Sequence, residues 1–327
     1  MNAKVISRRG FMKGTALAAG AFALGQLPNV QAANRPWADD GPDMRFGFTT
    51  YTWGRDWDIA TIIANCTKAG AMGVELRTSS NYAHGVELTI SAARRAEVKK
   101  RFADSPITLV GLATSERYDS PDEATLRKAI ENTKAFLQLS HDIGASGVRV
   151  FPNDFHKGEP QAATLARIAR ALNILGPVAG ALGQEIRLEN HGSAGEMVNL
   201  ARIMAQVSDP NVKLKLNCDP RDMKGQGLEH NFNLVKPWLG HTIHVHDFND
   251  KAFDHQLFIN LLAKSNYKGW LLIENSSKVE DRVTALAEQR QVFERMLAQV
   301  PQLRGENVVS GVETPKVFTT SASRRLG

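Results

Sequence analysis

From residue 45 to about residue 300, short β-branched runs alternate with stretches of helical period. The runs are Arg45–Thr49, Gly73–Leu76, Ile107–Leu112, Gly147–Phe151, Glu185–Glu189, Val212–Cys218, Thr242–His246 and Trp270–Glu274. Between them, apolar residues recur every three or four positions. Ile59, Ile62, Ile63 and Cys66 make one stripe, and Phe136, Leu139 and Ile143 another. Asp122 and Glu123 follow Pro121 and place acids in a first helical turn, where the helix dipole favours them. Gly70, Gly144 and Gly183 stand where helices need a left-handed residue to stop. Strand then helix, eight times over, predicts a parallel sheet with helices outside it. Eight units in about 250 residues predict an α/β protein, a single-domain (β/α)8 barrel spanning 44–300. The runner-up, an open doubly wound sheet, wants a Gly-rich turn after its first strand. Phe48-Thr49-Thr50-Tyr51-Thr52-Trp53 has none.

The two ends do not follow this pattern. Ser7-Arg8-Arg9-Gly10-Phe11-Met12-Lys13 precedes an Ala-rich apolar stretch from Ala16 to Leu27, and Val30-Gln31-Ala32 offers small residues for cleavage. Residues 1–32 therefore read as a twin-arginine signal peptide, shorter in its apolar part than a membrane span. This predicts export of the folded chain through the Tat translocon to the periplasm. Residues 301–327, rich in Ser, Thr, Val and Gly, read as an extended or disordered tail. The signal also changes the charge. The chain carries +6, but Lys4, Arg8, Arg9 and Lys13 supply four of those charges with no acid among residues 1–32, which leaves +2. A nearly balanced chain has no electrostatic footprint for nucleic acid. Cys66, on a helix stripe, and Cys218, at a strand end, read as buried small hydrophobes and not as a disulfide.

In a closed barrel the chemistry lies at the C-terminal ends of the strands. There the last four runs carry Glu189, Asp219, His244 and Glu274, spaced 30, 25 and 30 residues apart, close to one barrel repeat each. Taken singly, an acid at a strand end is usually a cap or a surface group. Four in phase converge, and carboxylates drawn together need a cation or a proton. Three carboxylates and an imidazole make a hard donor set for one divalent ion. Mn²⁺, Mg²⁺ or Co²⁺ suit it, with Zn²⁺ as an alternative. His191 lies two residues past Glu189, and either reaches a substrate oxygen or orients Glu189. His246 has the strand parity of His244, and either lines the site or competes with it as a ligand. Trp53, Glu75, Glu116 and Asp154 lie at or just past the ends of the first four strands. Trp53 is placed either to stack on a flat face of a substrate or to pack the rim. Asn153-Asp154-Phe155-His156 reads as a loop over the mouth.

These residues carry a resemblance. Leu188-Glu189-Asn190-His191, Asp219-Pro220, His244-x-x-Asp247, Ile273-Glu274 and Gly73-Val74-Glu75-Leu76 resemble the xylose-isomerase-like superfamily of sugar isomerases and epimerases, over roughly Met44 to Val300. The resemblance implies that Glu189, Asp219, His244 and Glu274 bind one divalent ion, and that Glu189 and Glu274 also move protons. It implies a sugar substrate, and their positions make His191, Asp222, His246, Trp53, Glu75 and Glu116 candidate contacts to it. Two departures stand out. Asp222 occupies a position where the family often has His, and no arginine follows the seventh strand.

The chemistry has its own logic. A proton beside a carbonyl is too weakly acidic for an unaided carboxylate. A metal-bound enediolate and two glutamates permit epimerisation, aldose–ketose isomerisation or β-elimination. The expected function is a metal-dependent isomerase or epimerase in carbohydrate metabolism. Its substrate is expected to be unphosphorylated, because phosphosugars are mainly cytoplasmic and no glycine run follows strands 7 and 8. A 3-keto-glycoside lyase or inosose-type dehydratase would use the same site, and release of an aglycone would distinguish it. An endonuclease IV-like nuclease would need extra histidines where Glu75, Glu116 and Asp222 stand. A non-catalytic sugar-binding barrel would be indifferent to Glu189→Gln. The oligomeric state, monomer or homo-oligomer, is left open.

Overall fold

The computed structural model describes residues 44–79 and 81–300. The expected signal peptide and the expected tail lie outside the described residues. Eight strands alternate with eight helices in chain order: β1 (Arg45–Thr49), α1 (Ile59–Ala69), β2 (Gly73–Arg77), α2 (Ala92–Ala103), β3 (Thr108–Arg117), α3 (Glu123–Asp142), β4 (Gly147–Phe151), α4 (Gln161–Ala181), β5 (Glu185–Glu189), α5 (Met197–Met204), β6 (Val212–Lys215), α6 (Leu228–Val235), β7 (Thr242–Val245), α7 (His255–Lys264), β8 (Trp270–Ile273) and α8 (Arg282–Ala298). All pairings are parallel, in the order β6-β5-β4-β3-β2-β1-β8-β7. The seam between β6 and β7 is closed by bridges Leu214–Leu239 and Asn217–His244. His244 N donates to Leu216 O at 2.8 Å there, and Cys218 N to His244 O at 3.2 Å. The result is the (β/α)8 barrel.

The helix signals act as expected. Asp122 caps α3 by accepting from Thr125 N at 2.7 Å, and Gly70 ends α1 at φ 70°. Ile59, Ile62 and Cys66 of α1 are buried, as are Phe136 and Leu139 of α3 and Ile143 at its C-cap. Cys66 and Cys218 are both free and buried. No helix among the described residues is long and apolar enough to cross a membrane.

Two strands depart from the hydrophobic runs. β3 continues to Arg117, five residues past Leu112, with Arg117 paired to Phe151. Its last residues are polar, so they carry no hydrophobic signal. β6 stops at Lys215, and the chain beyond it is held by a side chain. Asn190 Nδ2 donates to Asn217 O at 3.1 Å, and Asn190 Oδ1 accepts from Asn217 N. One amide thus satisfies both backbone groups of Asn217 as a neighbouring strand would, and fixes where its side chain points.

The barrel interior is charged as well as apolar. Inward positions alternate along each strand. On β5 they are Glu185, Arg187 and Glu189, all buried. Arg187 binds Glu185 at 3.0 Å, Val110 O at 2.7 Å and Ser146 Oγ at 2.7 Å. A Cβ at Gly111 would lie 2.7 Å from the Arg187 guanidinium, so the space for that side chain depends on glycine there. The next layer toward the C-terminal ends holds the chemistry.

Candidate active site and metal centre

Glu75, Lys215 and His244 form the floor of the site, and all three are fully buried. Lys215 Nζ donates to Glu75 Oε1 at 2.6 Å and Oε2 at 2.7 Å. His244 Nε2 lies 2.7 Å from Glu75 Oε2. This turns Nδ1 upward, where it stands 3.2 Å from Glu189 Oε2 and 3.2 Å from Glu274 Oε2. Asn217 Nδ2 bridges the same two glutamates, at 3.1 Å from Glu189 Oε1 and 3.1 Å from Glu274 Oε2. Arg149 closes the other flank, its Nε 3.3 Å from Glu189 Oε2.

Buried charges must nearly cancel. Glu75, Glu189 and Glu274 stand against Arg149 and Lys215, which leaves one negative charge for His244 or a cation to neutralise. Burial and Lys215 oppose a proton on His244, but the three glutamates outweigh them and raise its pKa to about 10. Burial would raise the Glu189 carboxyl, yet Arg149, His244 and Lys215 together hold it well below the usual range. Glu274 is lowered too, its burial outweighed chiefly by His244.

Glu189, His244 and Glu274 form a group able to hold a metal ion, with one ligand atom from each lying within 4.8 Å of the others. The donor set fits a cation. Glu189 Oε2, His244 Nδ1 and Asn217 Oδ1 are buried and make no hydrogen bond. Two hard oxygens and an imidazole nitrogen would serve a divalent first-row ion. Glu75 behind His244 is the carboxylate that commonly orients a ligating imidazole.

Above the floor opens a cavity of about 670 Å³, within the usual range for small-molecule sites. Tyr51, Arg77, Arg117, Phe151, His191 and Arg221 line its walls, with Arg149, Glu189, Asn217 and Glu274 at its base. The loops after β4 and β5 lock together at its rim. His191 Nδ1 lies 3.2 Å from Asn153 Oδ1. Gly192 has φ 69°, and a Cβ there would lie 2.0 Å from Asn153 O, so this approach requires glycine.

Residues 63–296 match the family described as the xylose isomerase-like TIM barrel. The chain belongs to that family. Solved structures of similar fold include L-ribulose 3-epimerase, 17% identical over 83% of this chain and 100% of its own, with TM-score 0.66. The 3-keto-D-glucoside 4-epimerase of E. coli is 14% identical over 79% and 99%, with TM-score 0.63. The IOLI protein with a bound zinc atom is 16% identical over 79% and 98%, with TM-score 0.62. No curated protein sequence matches.

Of the four metal positions implied by the resemblance to this xylose isomerase-like family, Glu189, His244 and Glu274 are brought together. Asp219 is not. Its carboxylate accepts from Arg221 N at 2.8 Å and pairs with the Arg221 guanidinium at 2.8 Å. It caps the short 3-10 turn Pro220–Met223 and lies at the cavity wall. Asn217, two residues earlier on the same face, takes the place between the glutamates. Of the expected substrate contacts, His191 and His246 line the cavity. His191 packs against Phe151, with ring centroids 4.5 Å apart, and His246 Nδ1 lies 3.2 Å from Glu274 O.

Of the other four candidates, Glu75, Glu116 and Asp222 stand away from the cavity, and Trp53 takes the second of its two expected places, packing the rim. Glu75 lies under the site, held by Lys215 and His244. Glu116 sits between Ser115 and Arg117, which face the cavity, so strand alternation turns it to α3, where it accepts from Asn132 at 3.3 Å. Trp53 is buried in the rim, its Nε1 donating to Ser277 O at 2.8 Å. Asp222 is buried beside Asn190, at 3.0 Å, and its burial raises its pKa to about 7. The site also contains residues that the sequence reading passed over: Arg77, Arg117, Arg149, Lys215 and Asn217. Each is a polar residue on the inward parity of its strand or, for Asn217, of the residues that continue β6, which is the signal that marks it.

Proposed function

We propose that this chain is a sugar isomerase or epimerase that moves a proton on a carbon beside a carbonyl, with Glu189 and Glu274 as the acid/base pair. The observation that carries the reading is the meeting of two glutamates, Glu189 buried and Glu274 nearly so, at one imidazole, with Nδ1 of His244 3.2 Å from an oxygen of each. One carboxylate takes the proton and the other returns it, to the opposite face for epimerisation or to the neighbouring carbon for isomerisation. Asn217 bridges the two and holds their oxygens toward the cavity. Phe151 and His191 supply an apolar wall beside the reacting carbon. Glu189, His244 and Glu274, with the amide oxygen of Asn217, would hold a divalent ion, which supplies Lewis acidity to the carbonyl and neighbouring hydroxyl. The epimerase names of similarly folded proteins support the same reaction class.

The test is incubation with keto-sugars and 3-keto-glycosides in D2O. Deuterium enters the carbon beside the carbonyl with the wild type, and not with Glu189→Gln or Glu274→Gln. Aglycone release without epimer formation would replace epimerisation by elimination on the same pair. Absence of exchange from every substrate would overturn the proposal. We also propose that the chain is exported to the periplasm through the twin-arginine route. Cell fractionation of wild type and an Arg8→Lys/Arg9→Lys variant tests this, with loss of the periplasmic form expected in the variant.

A further inference from the structure

Apart from Arg221, which pairs with Asp219, the mouth of the barrel is divided by charge. β5 to β8 bring the acids Glu189 and Glu274, and the segment after β6 brings Asp219. Three other strands, β2, β3 and β4, each bring an arginine to the cavity: Arg77, Arg117 and Arg149. Arg149 is only 2% exposed, and its guanidinium lies 4.0 Å over the Phe151 ring. Among the described residues its side chain makes one ion-pair contact, the 3.3 Å approach to Glu189 Oε2, and no hydrogen bond. Arg77 donates to Ala113 O at 2.9 Å, Thr78 O at 3.3 Å and Ser115 Oγ at 3.0 Å. Its Nε is buried without an acceptor, and among the described residues no carboxylate lies within ion-pair distance of it. Burial and the neighbouring Arg149 lower its pKa, against the opposing pull of Glu189 and Glu274. Arg117 stands exposed at the rim.

A partly buried guanidinium offers donors only, and it carries a charge that carbonyls and hydroxyls do not neutralise. Arg149 is matched by Glu189, but Arg77 faces the cavity with no carboxylate of its own among the described residues and leaves a demand for an anion. A planar fork meets a carboxylate or a phosphate oxygen pair with two parallel hydrogen bonds, while a neutral hydroxyl uses one lone pair at a time. We propose that the substrate is an anionic sugar, whose carboxylate or phosphate docks on Arg77, with Arg117 drawing it in, while its carbonyl end faces Glu189 and Glu274. This rests on the reading of the cavity as a sugar site. A carboxylate would agree with the expectation of an unphosphorylated substrate, which came from the exported location and the absence of a glycine run, and a phosphate would revise it. These arginines come from strands other than β7 and β8.

The experiment is calorimetric binding of D-glucuronate, its neutral methyl ester, D-glucose 6-phosphate and D-glucose to the purified full chain, repeated with Arg77→Gln, Arg117→Gln and Glu274→Gln. At least one anionic probe should bind ten-fold or more tightly than glucose and the ester. The better of the two identifies the anion as carboxylate or phosphate. Arg77→Gln should remove that preference, and Arg117→Gln, at the exposed rim where the fold does not depend on it, should reduce it. Glu274→Gln should keep it. Equal binding of charged and neutral probes, binding by none, or an unchanged preference in folded Arg77→Gln would each overturn the proposal. If Arg77→Gln does not fold, an unchanged preference in Arg117→Gln does so instead. Charge preference without deuterium exchange would remove the proposed reaction and leave this inference standing. Exchange without charge preference would do the reverse.

Discussion

Glu75 Oε2 and His244 Nε2 lie 2.7 Å apart at the floor of the barrel, and this contact decides which way the imidazole faces. Glu75 comes from β2 and His244 from β7, on different sides of the barrel. Their contact leaves Nδ1 for the glutamates above. Glu75→Gln should therefore lower metal affinity by about 10–100-fold, the usual cost of losing a carboxylate behind a ligating histidine. It should also cost about 3–5 kcal/mol of stability, because Lys215 would keep a buried charge without its carboxylate. Metal titration and urea unfolding read the two effects. A variant of wild-type stability would show that Lys215 is neutral or otherwise paired.

Glu189→Gln and Glu274→Gln should each reduce turnover by about 10²–10⁴-fold, the range for loss of a general acid or base, with circular dichroism unchanged. Full activity in either would remove that residue from the acid/base pair.

Asp219 and Asn217 make opposite predictions. Asp219→Asn should leave metal content unchanged, because the Asp219 carboxylate is engaged by Arg221. Asn217→Asp should tighten metal binding, since it adds a negative charge between Glu189 and Glu274. Elemental analysis of the purified variants decides. Metal loss in Asp219→Asn would mean that its carboxylate swings from Arg221 to the centre.

Asp222 predicts a pH effect on stability. Its pKa is raised from 3.8 to about 7 by burial. Between those values the folded chain holds a proton that the unfolded chain releases, so this group's contribution declines as pH rises from about 4 to about 7. Asp222→Asn should then stabilise the fold by a few kcal/mol at pH 8 and by little at pH 4. Thermal or urea unfolding at the two pH values measures it, and an equal effect at both would contradict the raised pKa.

Local pattern determined the barrel. Period-two and period-3.6 runs, acid caps and terminal glycines are properties of neighbouring residues, so β1, β4 and β5 begin and end where their hydrophobic runs do. The repeat spacing also put Glu189, His244 and Glu274 at one level, because each barrel unit advances the chain by nearly the same length. Partners across the barrel are a different matter. Whether Asp219 or Asn217 reaches the glutamates depends on Asn190 gripping the backbone of Asn217 and Arg221 holding Asp219. Whether Glu75 touches substrate or supports His244 depends on Lys215, 140 residues away in sequence. The arginines on β2, β3 and β4 each look like an isolated charge in their own strand. Closure of the sheet brings Arg77, Arg117 and Arg149 to the same cavity as the acids, and in a low-dielectric interior that juxtaposition sets both the charge balance and the chemistry the site can hold.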